Sequence, residues 1–235
     1  MDQQFSSGSR IAFFGGTFDP PHLGHLGVAR AAREALGLDS VLFAPVGTQP
    51  LKPQGAVAGF EDRLAMTRLA IAAEPGFTIS LADAPKSSGA PNYTLETLLA
   101  LRAQLPPLST IFCLMGADSF AAFRCWHRAA EIPFVASLIV ASRPGESLDN
   151  LDSAFPNGLT IEVAPAQDAV EPNIPLRRYT LHNAAGQQAP FYLLPGLHID
   201  ISASDIRAQI RLSQPEHALL PTPVLEYIRA RNLYR

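Results

Sequence analysis

Cysteine is scarce in this chain. Its 235 residues include two, Cys113 and Cys125, and neither belongs to a C-x-x-C pair. No dithiol motif is therefore present, and both read as buried, reduced thiols suited to a reducing cytoplasm. An excess of positive charge is also missing: 21 acidic residues face 18 basic ones, for a net charge of −3. Without a broad basic surface, a nucleic-acid polymer is not an expected partner, although small anions can still bind at local positive spots. No apolar run approaches the roughly 20 residues that cross a bilayer, so no membrane association is expected. The opening ten residues, MDQQFSSGSR, lack the apolar core of a signal peptide. The expected compartment is the cytoplasm. Tryptophan occurs once, at Trp126.

What is present is ample apolar material, 47% against 17% charged, which is globular composition. Through the first two-thirds of the chain, short apolar runs alternate with helical periodicity. The runs are RIAFFGG (Arg10–Gly16), SVLFAPV (Ser40–Val46), FTISLAD (Phe77–Asp83), STIFCLMG (Ser109–Gly116) and FVASLIVASR (Phe134–Arg143). Between them lie helical patterns over Leu23–Leu38, Phe60–Ala73 and Tyr93–Leu105. Continuous apolar strands separated by helices predict an α/β fold: a doubly wound, Rossmann-like parallel sheet with helices on both faces. Ligands then bind outside the carboxyl ends of the strands. Gly158–Val163 is a candidate further strand. Residues 164–190, rich in Pro, Ala, Gln and Asn without a clear period, are expected to form an irregular insertion. SASDIRAQIRL and TPVLEYIRARNLY supply a C-terminal helical segment, with Ser202 or Ser204 as N-cap of the first helix. The whole is expected to form a single domain, 1–235.

The most informative stretch is FFGGTFDPPHLGHL, Phe13–Leu26. It is neither G-x-G-x-x-G nor G-x-x-x-x-G-K-[ST], so a dinucleotide fingerprint and a Walker-type cradle are both absent. Gly15 and Gly16 end the first strand and allow a sharp turn and close approach of a ligand to the main chain. Pro20 and Pro21 stiffen the entry to a helix. His22 and His25, three residues apart, then lie on one helical face. A helix N-terminus carries unpaired N–H groups and partial positive charge, so two imidazoles there suit a phosphate. Two histidines without a third ligand make a poor metal site, and no protein-held metal is expected.

GGTFDPPHLGH resembles the (T/H)xGH motif of the nucleotidyltransferase superfamily, here His22-Leu23-Gly24-His25. The wider frame is most similar to bacterial nicotinate-nucleotide adenylyltransferases. ISASDIR (Ile201–Arg207) resembles the second motif of that family, ISSTxIR, with Ala203 and Ser204 replacing a serine and a threonine. GADSFAAFRCWHRAAEI (Gly116–Ile132) resembles GxDxFxxFxxWxxxxxI, and NYTLETL (Asn92–Leu98) resembles SYTxDTL, with Glu96 for aspartate. QPLKP (Gln49–Pro53) and SRPG (Ser142–Gly145) resemble two shorter segments. Leu51 stands where the first of these usually has histidine.

The resemblance implies transfer of AMP from ATP to nicotinate mononucleotide, giving nicotinate adenine dinucleotide and pyrophosphate. It implies ATP contacts at Gly15, Gly16, Thr17, Phe18, His22, His25, Lys52, Ser202, Ser204 and Arg207. His22, His25 and Arg207 are the catalytic set. It implies mononucleotide contacts at Thr94, Asp118, Trp126 and His127, with Trp126 as stacking platform and Asp118 on a ribose. Arg143 is expected near the site without a defined role. Mg2+ is expected to arrive with ATP. Readings kept beside this one are a transferase of the same superfamily acting on nicotinamide mononucleotide or phosphopantetheine, and a non-catalytic nucleotide-binding sensor. An aminoacyl-tRNA synthetase would need more length, a KMSKS-like loop and a basic surface.

Overall fold

Burial alternates along the first strand, and that alternation sets the architecture. In β1 (Arg10–Gly16), Ala12 and Phe14 enter one hydrophobic core while Ile11 and Phe13 enter a second. A strand buried on both faces needs a layer of helices on each side. β2 (Ser40–Pro45), β3 (Phe77–Ile79), β4 (Thr110–Gly116), β5 (Ser137–Ala141), β6 (Leu159–Val163), β7 (Arg177–Asn183) and β8 (Gln188–Leu194) join β1 in one eight-stranded sheet. Its order is β3-β2-β1-β4-β5-β8-β7-β6. These observations come from a computed structural model that describes residues 5–51, 54–142, 151–164, 174–197, 201–212 and 219–235.

The first core takes apolar residues from α1 (Leu23–Leu36) and α2 (Phe60–Ile71). It also receives Ile206 of α7 (Ala203–Arg211) and Val224, Leu225 and Ile228 of α8 (Thr222–Ala230). The second core takes α3 (Thr94–Gln104), α4 (Ala117–Ala121), α5 (Ile132–Val135) and α6 (Leu151–Ala154). Helix α1 buries Leu26, Ala29, Ala32 and Leu36, a period-3.6 stripe. Full burial of a leucine contributes about 1.5–3 kcal/mol. Ala29 and Ala32 have no exposed surface, so a larger residue there would push α1 and its histidines off the sheet. Gly37, in the left-handed conformation at φ 57°, ends the helix with its N–H on the Arg33 and Glu34 carbonyls.

The pairs β3–β2, β2–β1, β1–β4, β4–β5 and β5–β8 are parallel. The chain builds outward from β1 through β2 to β3, then crosses back to place β4 on the other side of β1. That reversal is a topological switch point, where the loops at the carboxyl ends of β1 and β4 diverge and leave a crevice.

Three expectations change. The sheet is mixed, because β7 runs antiparallel to both β8 and β6. The stretch 164–190, expected to be irregular, contains all of β7 and the start of β8, joined by a tight turn. In that turn the Asn183 side chain accepts from the Ala185 and Gln187 N–H groups. β7 is half-exposed and polar in alternation, so it shows no continuous apolar run; residues 165–173 lie outside the described residues. The fifth strand begins at Ser137 rather than Phe134, because Pro133 opens the short helix α5 instead. No described helix is long and apolar enough to cross a membrane.

Candidate active site

At the switch point lies a cavity of about 790 Å³. Its wall includes the N-terminal ends of α1 (His22), α3 (Tyr93, Thr94), α4 (Gly116, Ala117) and α7 (Ser202, Ala203). Four helix starts line one cavity, and helix N-termini carry positive dipole ends, a setting for anionic ligands despite the net negative chain.

The first wall is the β1–α1 turn. Its left-handed residue is neither glycine: Phe18 has φ 50°, an uncommon conformation for a bulky side chain. Gly16 makes room for it, since a Cβ there would meet the Phe18 ring at 3.0 Å. The buried Phe18 ring packs edge-on against Phe14 at 5.6 Å and against the His25 imidazole at 5.0 Å. His22 is the N-cap of α1, and its N–H donates to His25 Nδ1 at 3.2 Å. With Nδ1 accepting, the neutral His25 ring carries its proton on Nε2 and offers it as a donor. The two imidazoles lie 3.7 Å apart, 31° from parallel, so they present one face as their spacing predicts.

The second wall comes from α7. Ser202 is its N-cap, with Oγ accepting from the Ser204 N–H at 3.2 Å. Arg207, one turn on, donates through Nη2 to Ser204 Oγ at 3.1 Å and through Nη1 to the Asp19 carbonyl at 2.7 Å. That last bond joins the two phosphate-type motifs across 188 residues of sequence.

The far end of the cavity is lined by Thr94, Asp118, Trp126 and His127. Trp126 is half-buried; its ring lies 5.5 Å from that of Phe123, tilted by 60°, and the residue also lines the cavity. It thus serves both as a core and a cavity residue. His127 is exposed and stacks on Tyr93 at 4.3 Å. Asp118 sits in the first turn of α4, exposed to the cavity. Every expected contact residue among the described ones therefore lines one cavity: Gly15, Gly16, Thr17, Phe18, His22, His25, Thr94, Asp118, Trp126, His127, Ser202, Ser204 and Arg207. Lys52 and Arg143 lie outside the described residues. Cys125 proves exposed and lines the cavity; Cys113 is buried, and burial first, then Asp83, pushes its thiol up to about 12.

Sequence reasoning assigned no role to four residues that hold these walls. The Asp19 carboxylate is buried and accepts from the Val57 N–H at 2.6 Å, the Ala58 N–H at 3.1 Å and the Tyr234 hydroxyl at 2.7 Å. Arg63, 2% exposed, donates to the carbonyls of Thr17, Val46 and Ala58. Burial lowers its pKa, against the pull of Asp19 and Tyr234. Asn92 clamps two loops, accepting from the Thr48 N–H and donating to the Ala84 carbonyl. The Asp83 carboxyl accepts from the Thr97 hydroxyl at 2.7 Å, and burial raises its pKa. Asp19 lies within Phe13–Leu26 and Asn92 opens Asn92–Leu98, so both belonged to family-like motifs and were findable. Arg63 and Asp83 sit in ordinary helical or loop patterns.

The family model described as cytidylyltransferase-like matches residues 13–209, which spans both phosphate motifs. The chain belongs to this cytidylyltransferase-like family. Among its relatives in the family is the probable nicotinate-nucleotide adenylyltransferase of Gloeobacter violaceus. It is 36% identical over 228 residues, covering 97% of each chain. The protein of the same name from Trichlorobacter lovleyi is also 36% identical, covering 96% of this chain and 99% of its own. Among solved structures, the nicotinic acid mononucleotide adenylyltransferase of Plasmodium falciparum, complexed with NaAD, superposes with a TM-score of 0.67. It is 16% identical and covers 96% of this chain and 97% of its own, a likeness of fold.

Proposed function

We infer that this chain is a nicotinate-nucleotide adenylyltransferase. The 5′-phosphate oxygen of nicotinate mononucleotide attacks the α-phosphorus of ATP in line. The new P–O bond forms as the bond to the β-phosphate bridge breaks, and pyrophosphate leaves with that electron pair. The products are nicotinate adenine dinucleotide, a precursor of NAD, and pyrophosphate. A phosphate monoester is already ionised near neutral pH, so no strong general base is required. Catalysis then rests on alignment and on charge stabilisation.

In this reading His25 donates from Nε2 to the α-phosphate and His22 meets the neighbouring phosphates. Ser202, Ser204 and Arg207 hold the departing pyrophosphate, with Lys52 as a further cation. The main chain of Gly15, Gly16, Thr17 and Phe18 lets the nucleotide approach closely. Trp126 stacks on the pyridine ring, Thr94 and His127 meet its carboxylate, and Asp118 accepts from a ribose hydroxyl. Magnesium belongs to the substrate side, carried on the ATP phosphates with its own waters. The proposed compartment is the cytoplasm, which the free thiols of Cys113 and Cys125 support.

One observation carries the proposal: the 2.7 Å bond from Arg207 to the Asp19 carbonyl brings the two anion-gripping helix starts together around one cavity. The test is pyrophosphate release with ATP and a panel of acceptors. Nicotinate mononucleotide should be the preferred substrate, ahead of nicotinamide mononucleotide and phosphopantetheine. Preference for either of the others would reassign the acceptor. Nucleotide binding without pyrophosphate release from any acceptor would leave a sensor.

A further inference from the structure

The C-terminal end of the chain is built into the support of the first phosphate turn. Beyond α8, two non-glycine residues adopt left-handed backbone, Asn232 at φ 52° and Tyr234 at φ 65°. Such residues persist only where surrounding contacts hold them. Here the contact is specific. The penultimate side chain is 6% exposed, and its hydroxyl donates to Asp19 Oδ1 at 2.7 Å, across 215 residues. Tyr234 itself does not line the cavity.

Asp19 is a node. Its carboxylate takes the Val57 and Ala58 N–H groups as well as the tyrosine. Its carbonyl takes Arg207. The same residue thus links the β1–α1 turn, the loop before α2, the second phosphate motif and the C-terminus. Burial, followed by the bond to Asp19, raises the Tyr234 pKa, so the phenol remains a donor. Without that hydroxyl, Asp19 Oδ1 would keep only the Ala58 N–H. A buried carboxylate short of donors shifts to find others, and the carbonyl of the same residue moves with it. Alignment of reacting phosphates tolerates little movement: about 1 Å can cost about 10²-fold in rate.

We propose that Tyr234 is a positioning residue for the nucleotidyl transfer, holding Asp19 and through it both Arg207 and the His22–His25 turn in the arrangement that grips the triphosphate. The proposal deepens the adenylyltransferase reading and rests on it.

The test is Tyr234→Phe, which removes only the oxygen, with exposed Arg235→Ala as control. Three readouts are taken well below the melting temperature: kcat, KM for the mononucleotide, and calorimetric affinity for a non-hydrolysable ATP analogue. In Tyr234→Phe, kcat should fall about tenfold and analogue affinity severalfold, with the mononucleotide KM unchanged. Arg235→Ala should match wild type. A variant that melts earlier but keeps wild-type kcat and analogue affinity would reduce Tyr234 to a packing residue and overturn the proposal. Wild-type protein that binds the analogue yet releases no pyrophosphate would defeat the transfer reading instead, and the affinity comparison would then decide the role of Tyr234.

Discussion

The two ends of the cavity are held in different ways. At the end lined by the β1–α1 turn and α7, polar groups are tied across long sequence separations: Arg207 to Asp19, Tyr234 to Asp19, Arg63 to Thr17 and Val57 to Asp19. Asp19, Arg63 and Tyr234 are buried. At the rim lined by Thr94, Trp126 and His127, the proposed pyridine end, the contacts are local or exposed. Trp126 packs on Phe123, His127 stacks on Tyr93, and the ion pairs Arg128–Glu131 and Lys86–Glu96 face solvent. Exposed pairs of that kind hold little. The contrast follows from the chemistry. Charge that develops on phosphates during transfer is stabilised best by donors already in place. A flat ring needs a surface that can settle against it.

Five changes would break or sharpen that contrast. The largest effect is expected for His25→Ala, which removes the proposed donor to the reacting phosphate: kcat should fall by about 10²–10³ with the circular dichroism spectrum retained. An unchanged kcat would remove the imidazole from the mechanism. Next, Arg63→Ala strands the buried carbonyls of Thr17, Val46 and Ala58 and should lower stability by about 3 kcal/mol, read from urea unfolding. Arg128→Ala, which removes an exposed ion pair with Glu131, should leave the urea midpoint where it is. Equal midpoints for both would erase the distinction between the two ends. A smaller effect is expected from Trp126→Ala. It should raise the mononucleotide KM about tenfold while sparing kcat; a loss confined to kcat would instead tie the indole to phosphate alignment.

The smallest effect concerns Asp83, which is buried and lines the cavity. Burial raises its pKa in the folded state, opposed by the Thr97 hydroxyl and Lys86. The folded protein therefore holds that proton more tightly than the unfolded chain. The stability this contributes is complete below the ordinary carboxylate pKa of about 4 and is lost as pH rises through the higher folded-state value. Asp83→Asn should lack this decline. Its melting temperature relative to wild type should therefore improve between pH 4 and pH 7; a constant difference would mean Asp83 does not titrate above its ordinary range.

The local structure of both the histidine motif and the serine–arginine motif was legible in the sequence because each is contiguous. Strand, turn, paired histidines and capped helix lie within Phe13–Leu26, and serine cap and arginine lie within Ile201–Arg207. The alternation of β and α likewise announced a doubly wound sheet, since strands buried on both faces read as apolar runs. β7 escaped because a strand with one solvated face carries only a weak two-residue alternation. The left-handed Phe18 escaped because the neighbouring glycines are the expected site of such a conformation, and here Gly16 instead makes room for its ring.

By itself, then, the order of residues determined which groups would sit at helix starts and which apolar faces would need covering, since both depend on neighbours a few positions away. Only the tertiary structure decided that Arg207 would bond to the Asp19 carbonyl, that Arg63 would be buried under the first turn, and that the penultimate tyrosine would reach a carboxylate near the other terminus. Those bonds form between segments brought together by sheet order and core packing. No local pattern records which distant partner a buried polar group will find.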